Sequence, residues 1–129
     1  MGKEPFYPAC YNLPNIIVVA AVNQYGLLYE KSNYGTSVDI GAPGEDITSI
    51  YMEDQYIKVQ GTSASAPFVS GVCALVLEKN PKLLPQEVKR IITHPDNITQ
   101  INGLRGKVKY AGIINAYKCI ITDATGLIE

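Results

Sequence analysis

The run Gly61-Thr62-Ser63-Ala64-Ser65-Ala66-Pro67 passes directly into Phe68-Val69-Ser70-Gly71-Val72-Cys73-Ala74-Leu75-Val76-Leu77 and stops at Glu78-Lys79. A helix over about residues 63–79 with so little polar surface has to be buried in a core. Asn80-Pro81 ends it. The glycine turn ahead of it presents Ser63 at the helix N-terminus, where a serine can be held beside a base and oxyanion donors. Taken alone, capping the helix is the plainer use for such a serine.

The rest of the chain supplies both strands and helices. Residues 16–22, Ile16-Ile17-Val18-Val19-Ala20-Ala21-Val22, are continuously apolar and rich in β-branched side chains. That composition suits a strand buried on both faces of a parallel sheet. Such a strand needs neighbours, and the chain supplies few before it. Residues 35–40 read as a short strand ended by a turn at Gly41-Ala42-Pro43-Gly44. Residues 47–51 and 56–60 read as strands joined in a hairpin through Met52-Glu53-Asp54-Gln55. A second helix is predicted over residues 84–92, with Pro85 near its start and Val88, Ile91 and Ile92 at helical spacing. His94-Pro95-Asp96-Asn97 ends it, and residues 112–120 are a third helix candidate. This mixed order argues for an α/β architecture.

Bulk properties narrow the function classes. The 129 residues fit one domain, and 47% apolar content with 18% charged content is globular. Eleven Lys and Arg against twelve Asp and Glu are scattered, so no basic patch points to nucleic acid or an anionic membrane. No apolar run reaches a membrane span. Met1-Gly2-Lys3-Glu4-Pro5 has no apolar stretch behind a basic start, so no secretory signal is expected. Cys10, Cys73 and Cys119 have no CxxC or CxxH spacing, which argues against a disulfide scaffold or a cysteine-bound metal. Asn97-Ile98-Thr99 has the form of a glycosylation sequon, a triplet common by chance.

Several blocks resemble the subtilisin-like serine peptidases. Gly61-Thr62-Ser63-Ala64-Ser65-Ala66-Pro67 is similar to that family's nucleophile motif. Tyr7-Pro8-Ala9 followed by the 16–22 run resembles its Tyr-Pro-Ala segment and next strand. Ser32-Asn33-Tyr34-Gly35 with Val38-Asp39-Ile40-Gly41-Ala42-Pro43-Gly44 resembles a further block, and Tyr110-Ala111-Gly112-Ile113-Ile114-Asn115-Ala116 resembles the closing signature. The order along the chain is the family's order. Ala64 and Phe68 depart from the commonest family form, which has methionine and histidine there. An α/β-hydrolase nucleophile elbow, Gly-x-Ser-x-Gly, fits poorly, because Ser65 stands where its second glycine belongs.

The resemblance implies part of a three-layer subtilisin-like fold, with a mostly parallel sheet and a buried central nucleophile helix. Residues 1–129 would be the C-terminal portion of the catalytic domain. Ser63 would be the nucleophile, with Gly61 and Thr62 supporting the turn and oxyanion site and Pro67 tolerated in the first helical turn. The triad Asp and His, and the asparagine oxyanion donor, belong upstream of Tyr7. His94, the one histidine, follows the serine and matches no triad position; a helix-terminal role is its plainer use. The chain alone is therefore expected to be inactive on peptides. Its chemistry requires no cofactor, while a structural calcium or sodium ion is implied at Ala9, Tyr11 and Asp39. Implied partners are a peptide or protein substrate and the N-terminal half of the domain. Self-association through an exposed edge of the 16–22 strand is the other expectation, which would make the chain a binding or complementing half-domain. The family implies a secreted or cell-surface location.

Overall fold

The computed structural model describes residues 4–122. The opening Met1-Gly2-Lys3, read above for a signal, lies outside the described residues. Four strands form the main sheet: β1 (Val19–Val22), β2 (Ile40–Pro43), β5 (Ile98–Gln100) and β6 (Gly112–Ile114). Their order is β1-β2-β6-β5, with β1, β2 and β6 parallel and β5 antiparallel to β6. A separate hairpin of β3 (Ile47–Ile50) and β4 (Tyr56–Val59) leads from the end of β2 to helix α1 (Thr62–Lys79). Helices α2 (Pro85–Thr93) and α3 (Ala116–Ile121) complete the regular structure.

The strand alternation assigns each side chain to a layer. Val19, Ile40, Ala42 and Ile114 face the helical layer, where they meet Val69, Val72 and Val76 of α1, Val88, Ile91 and Ile92 of α2, and Cys119 of α3. Ala20, Val22 and Ile113 face the other way, onto Leu28, Val38, Ile101, Leu104 and Val108. Helices thus cover one face of the sheet, and loops with a short 3-10 turn cover the other.

The structure corrects the sequence reading at four strands. β1 begins at Val19, because residues 13–16 make a turn closed by Ile16 N–H donating to Leu13 C=O at 3.1 Å. Gly41-Ala42-Pro43 is strand rather than turn. Gly41 is needed for close approach, since a Cβ there would stand 3.0 Å from Val22 Cγ1. Pro43 takes the last position of the ladder, where its missing N–H disrupts least. β5 was not expected at all, being only three residues long. Residues 112–114, assigned above to a helix, form β6. Here a Cβ on Gly112 would stand 2.7 Å from Ile98 Cδ1 and 2.8 Å from Thr99 O. Asn115 starts the helix instead, its Oδ1 accepting from Lys118 N–H at 3.0 Å.

The open edge expected on β1 is in large part closed. Ala21 N–H donates to Ser32 Oγ at 2.8 Å, and Ala21 C=O accepts from Tyr29 N–H at 2.9 Å. Ala20, Ala21 and Val22 are fully buried. An uncovered apolar stripe lies on α1. One stripe of that helix, Ser65, Val69, Val72 and Val76, is buried against the sheet. The neighbouring stripe, one residue earlier and about 100° round the helix, comprises Ala64, Phe68, Gly71 and Leu75, and Phe68 and Leu75 remain 43% and 42% exposed.

Candidate active site

α1 starts where the hairpin returns to the carboxyl ends of the parallel strands, the usual position for a ligand site in an open α/β sheet. Gly61 precedes the helix with φ 108° and ψ 176°, a backbone conformation that disfavours any side chain. Its N–H donates to Gly44 C=O at 2.7 Å, which ties the helix entrance to the end of β2. Gly44 is needed there. A Cβ on it would fall inside contact distance of Ser65 Oγ, 2.6 Å from Ala21 Cβ and 2.9 Å from Gly61 O.

This clamp separates the two serines of the motif. Ser65 is fully buried and its hydroxyl donates to Gly61 C=O at 3.4 Å. Ser63 is exposed, on a ridge between two concavities. One, of about 930 Å³, is lined by Ile47, Ser49, Val59, Gln60 and the Ala64–Leu75 face of α1. The other, of about 320 Å³, runs beside Phe6, Pro8, Ala9, residues 16–19, Asn33 and Thr62. Among the described residues, the amides of Thr62 and Ser63 have no backbone acceptor, as a first helical turn requires. They present donors and the positive end of the helix dipole beside the Ser63 hydroxyl.

Pro67 lies inside the helix, in its second turn rather than its first. Having no N–H, it leaves Ser63 C=O without its helical partner. The remaining candidates lie elsewhere. His94 sits at the C-terminal end of α2, where its Nδ1 accepts from Asp96 N–H at 3.2 Å, and no contact brings it to Ser63. Asp39 is 3% exposed at the entrance to β2. Its Oδ2 accepts from Val18 N–H at 2.9 Å and pairs with Lys89 Nζ at 3.2 Å. Ala9 and Tyr11 bound a short 3-10 turn that leans on Ser37 through Cys10 Sγ at 3.8 Å. These residues do not fit the implied metal ion, because the one carboxylate among them already faces an ammonium. Nothing in the sequence pairs residue 89 with residue 39; α2 packing alone brings them together.

Residues 2–110 match the Subtilase family. The chain belongs to that family. This subtilase chain is 38% identical over 119 residues to a thermophilic serine proteinase from Bacillus sp. (strain AK1), covering 92% of itself and 28% of that protein. It is 33% identical over 110 residues to Subtilisin BL from Lederbergia lenta, covering 85% of itself and 39% of that protein. Its fold aligns with a solved structure of the subtilase cytotoxin SubAB at TM-score 0.80 and 30% identity, over 89% of this chain and 41% of that one. The chain thus spans well under half the length of each.

Proposed function

We propose that this chain carries the nucleophilic portion of a subtilisin-like serine endopeptidase, with Ser63 as the attacking residue. The supporting observation is the exposed Ser63 hydroxyl on the first turn of α1, between two concavities and beside unpaired amides. Ser63 Oγ would attack the substrate carbonyl carbon while a base takes its proton. The tetrahedral oxyanion would be held by the Ser63 amide. Collapse would expel the amine, which takes the proton, and leave an ester that water hydrolyses by the same route.

Among the described residues no contact brings a base to Ser63, since His94 is held at the C-terminal end of α2. We therefore assign residues 1–129 to the C-terminal portion of a catalytic domain whose Asp and His come from an N-terminal segment. That segment is also the occupant that best suits the exposed α1 stripe. The two needs coincide in one partner, and proteins or peptides are its substrates.

The decisive experiment is fluorophosphonate labelling of the chain and of Ser63→Ala, each alone and mixed with the Asp- and His-bearing segment of a related subtilase. Labelling that requires both the segment and Ser63 is the expected result. Equal labelling of Ser63→Ala would overturn the assignment of the nucleophile. Strong Ser63-dependent labelling by the chain alone would overturn the divided triad.

A further inference from the structure

We propose that the Lys89 ammonium acts as a tethered cation, filling the place where Asp39 and the loop before β1 would otherwise hold a metal ion. The chain therefore orders this loop without calcium or sodium.

Three separate segments converge on one buried charge. Lys89 projects from α2, and its Nζ meets Asp39 Oδ2 at 3.2 Å with only 13% and 4% of the two side chains exposed. The same Nζ donates to Ile16 C=O, in the loop before β1. Asp39 Oδ2 also accepts from Val18 N–H, so the carboxylate joins the approaches to β1 and β2. A carboxylate and a loop carbonyl are the kind of oxygen donors a hard cation takes, but the two fall well short of the roughly six to eight that calcium requires. Here a single positive charge already satisfies them.

The lysine is held in place by its helix. Val88, Ile91 and Ile92 on either side of it are buried in the core, and Thr93 Oγ1 donates to Lys89 C=O at 2.7 Å. An ion entering beside the ammonium would meet like charge at contact distance, in a site with one carboxylate to offset both. Displacing the side chain would instead break the buried ion pair with Asp39 and the bond to Ile16 C=O.

The test is thermal unfolding of the full chain in chelator, in calcium chloride and in sodium chloride, with Lys89→Ala and Lys89→Arg alongside. The unsubstituted chain and Lys89→Arg are expected to show no calcium-dependent shift. Lys89→Ala should lose about 10 °C, as for a buried ion pair broken on one side, and recover part of that loss in calcium. A calcium-dependent rise in the unsubstituted chain would overturn the proposal. So would a Lys89→Ala variant that unfolds at a lower temperature and ignores both cations. If Lys89→Ala does not fold, terbium luminescence on the unsubstituted chain decides. Silence supports the tethered cation, and saturable binding that disappears in Asp39→Asn refutes it.

Discussion

Gly44 and the serine pair show how one position without a side chain sorts two hydroxyls by role. Gly44 makes room for Ser65 to sink against Ala21, and that fixes the turn which leaves Ser63 outside. Gly44→Ala should cost about 3 kcal/mol, because three hard contacts must move and two of them are backbone or core. Ser63→Ala should leave stability within about 0.5 kcal/mol, as expected for an exposed side chain with no partner to lose among the described residues. Urea unfolding of the two variants beside the unsubstituted chain measures both. The motif itself was legible in the sequence, since glycine, serine and an apolar helix stand in a row. The role of Ser65 was not, because a heptad shows two serines and says nothing of which one a distant glycine will cover. The setting of Asp39 was not legible for the same reason. Its chemistry could be seen, but its partner sits on a helix that only packing brings near.

Among the elements, those governed by local rules were legible. α1, α2 and the β3–β4 hairpin follow from apolar spacing, Pro85 and the polar turn at residues 52–55. β2, β5 and β6 were not, since Gly41 reads as a turn residue and Gly112 as part of a helix until the neighbouring strand shows why a Cβ cannot fit, and β5 is too short to leave a pattern. The seam between α1 and α3 carries a further consequence. Burial, with Cys73 nearby as a lesser cause, pushes the Cys119 thiol up to about 11 from 9.0. The folded chain therefore keeps a proton that the unfolded chain gives up sooner. Its contribution is complete below pH 9 and is lost as pH rises towards 11. Urea midpoints across that window should fall less steeply in Cys119→Ala than in the unsubstituted chain. Iodoacetamide at neutral pH should leave Cys119 unmodified until the chain unfolds.

At the scale of the whole molecule, the core is complete on the sheet and incomplete on one helix. The sheet has both faces covered and most of its β1 edge closed, while Phe68 and Leu75 stand outward beside Ile47 and Val59. Replacing both with serine should lower the unfolding free energy by about 2 kcal/mol, because each side chain has just over half its surface covered in the chain alone. The same pair of substitutions should abolish docking of the Asp- and His-bearing segment, measured by co-sedimentation. Undiminished docking would place that segment elsewhere. The topology also constrains how the chain comes to be folded. β6 lies between β2 and β5, yet it leaves the ribosome after both. A nascent chain that has emerged only as far as residue 100 can pair β1 with β2 and close the β3–β4 hairpin, but it cannot join β5 to the sheet. α1 can already lie on β1 and β2, whereas β5 has no strand to join until residues 112–114 arrive to bridge the gap. Any pause in translation over that interval prolongs the time in which chaperones, rather than the sheet, hold the chain.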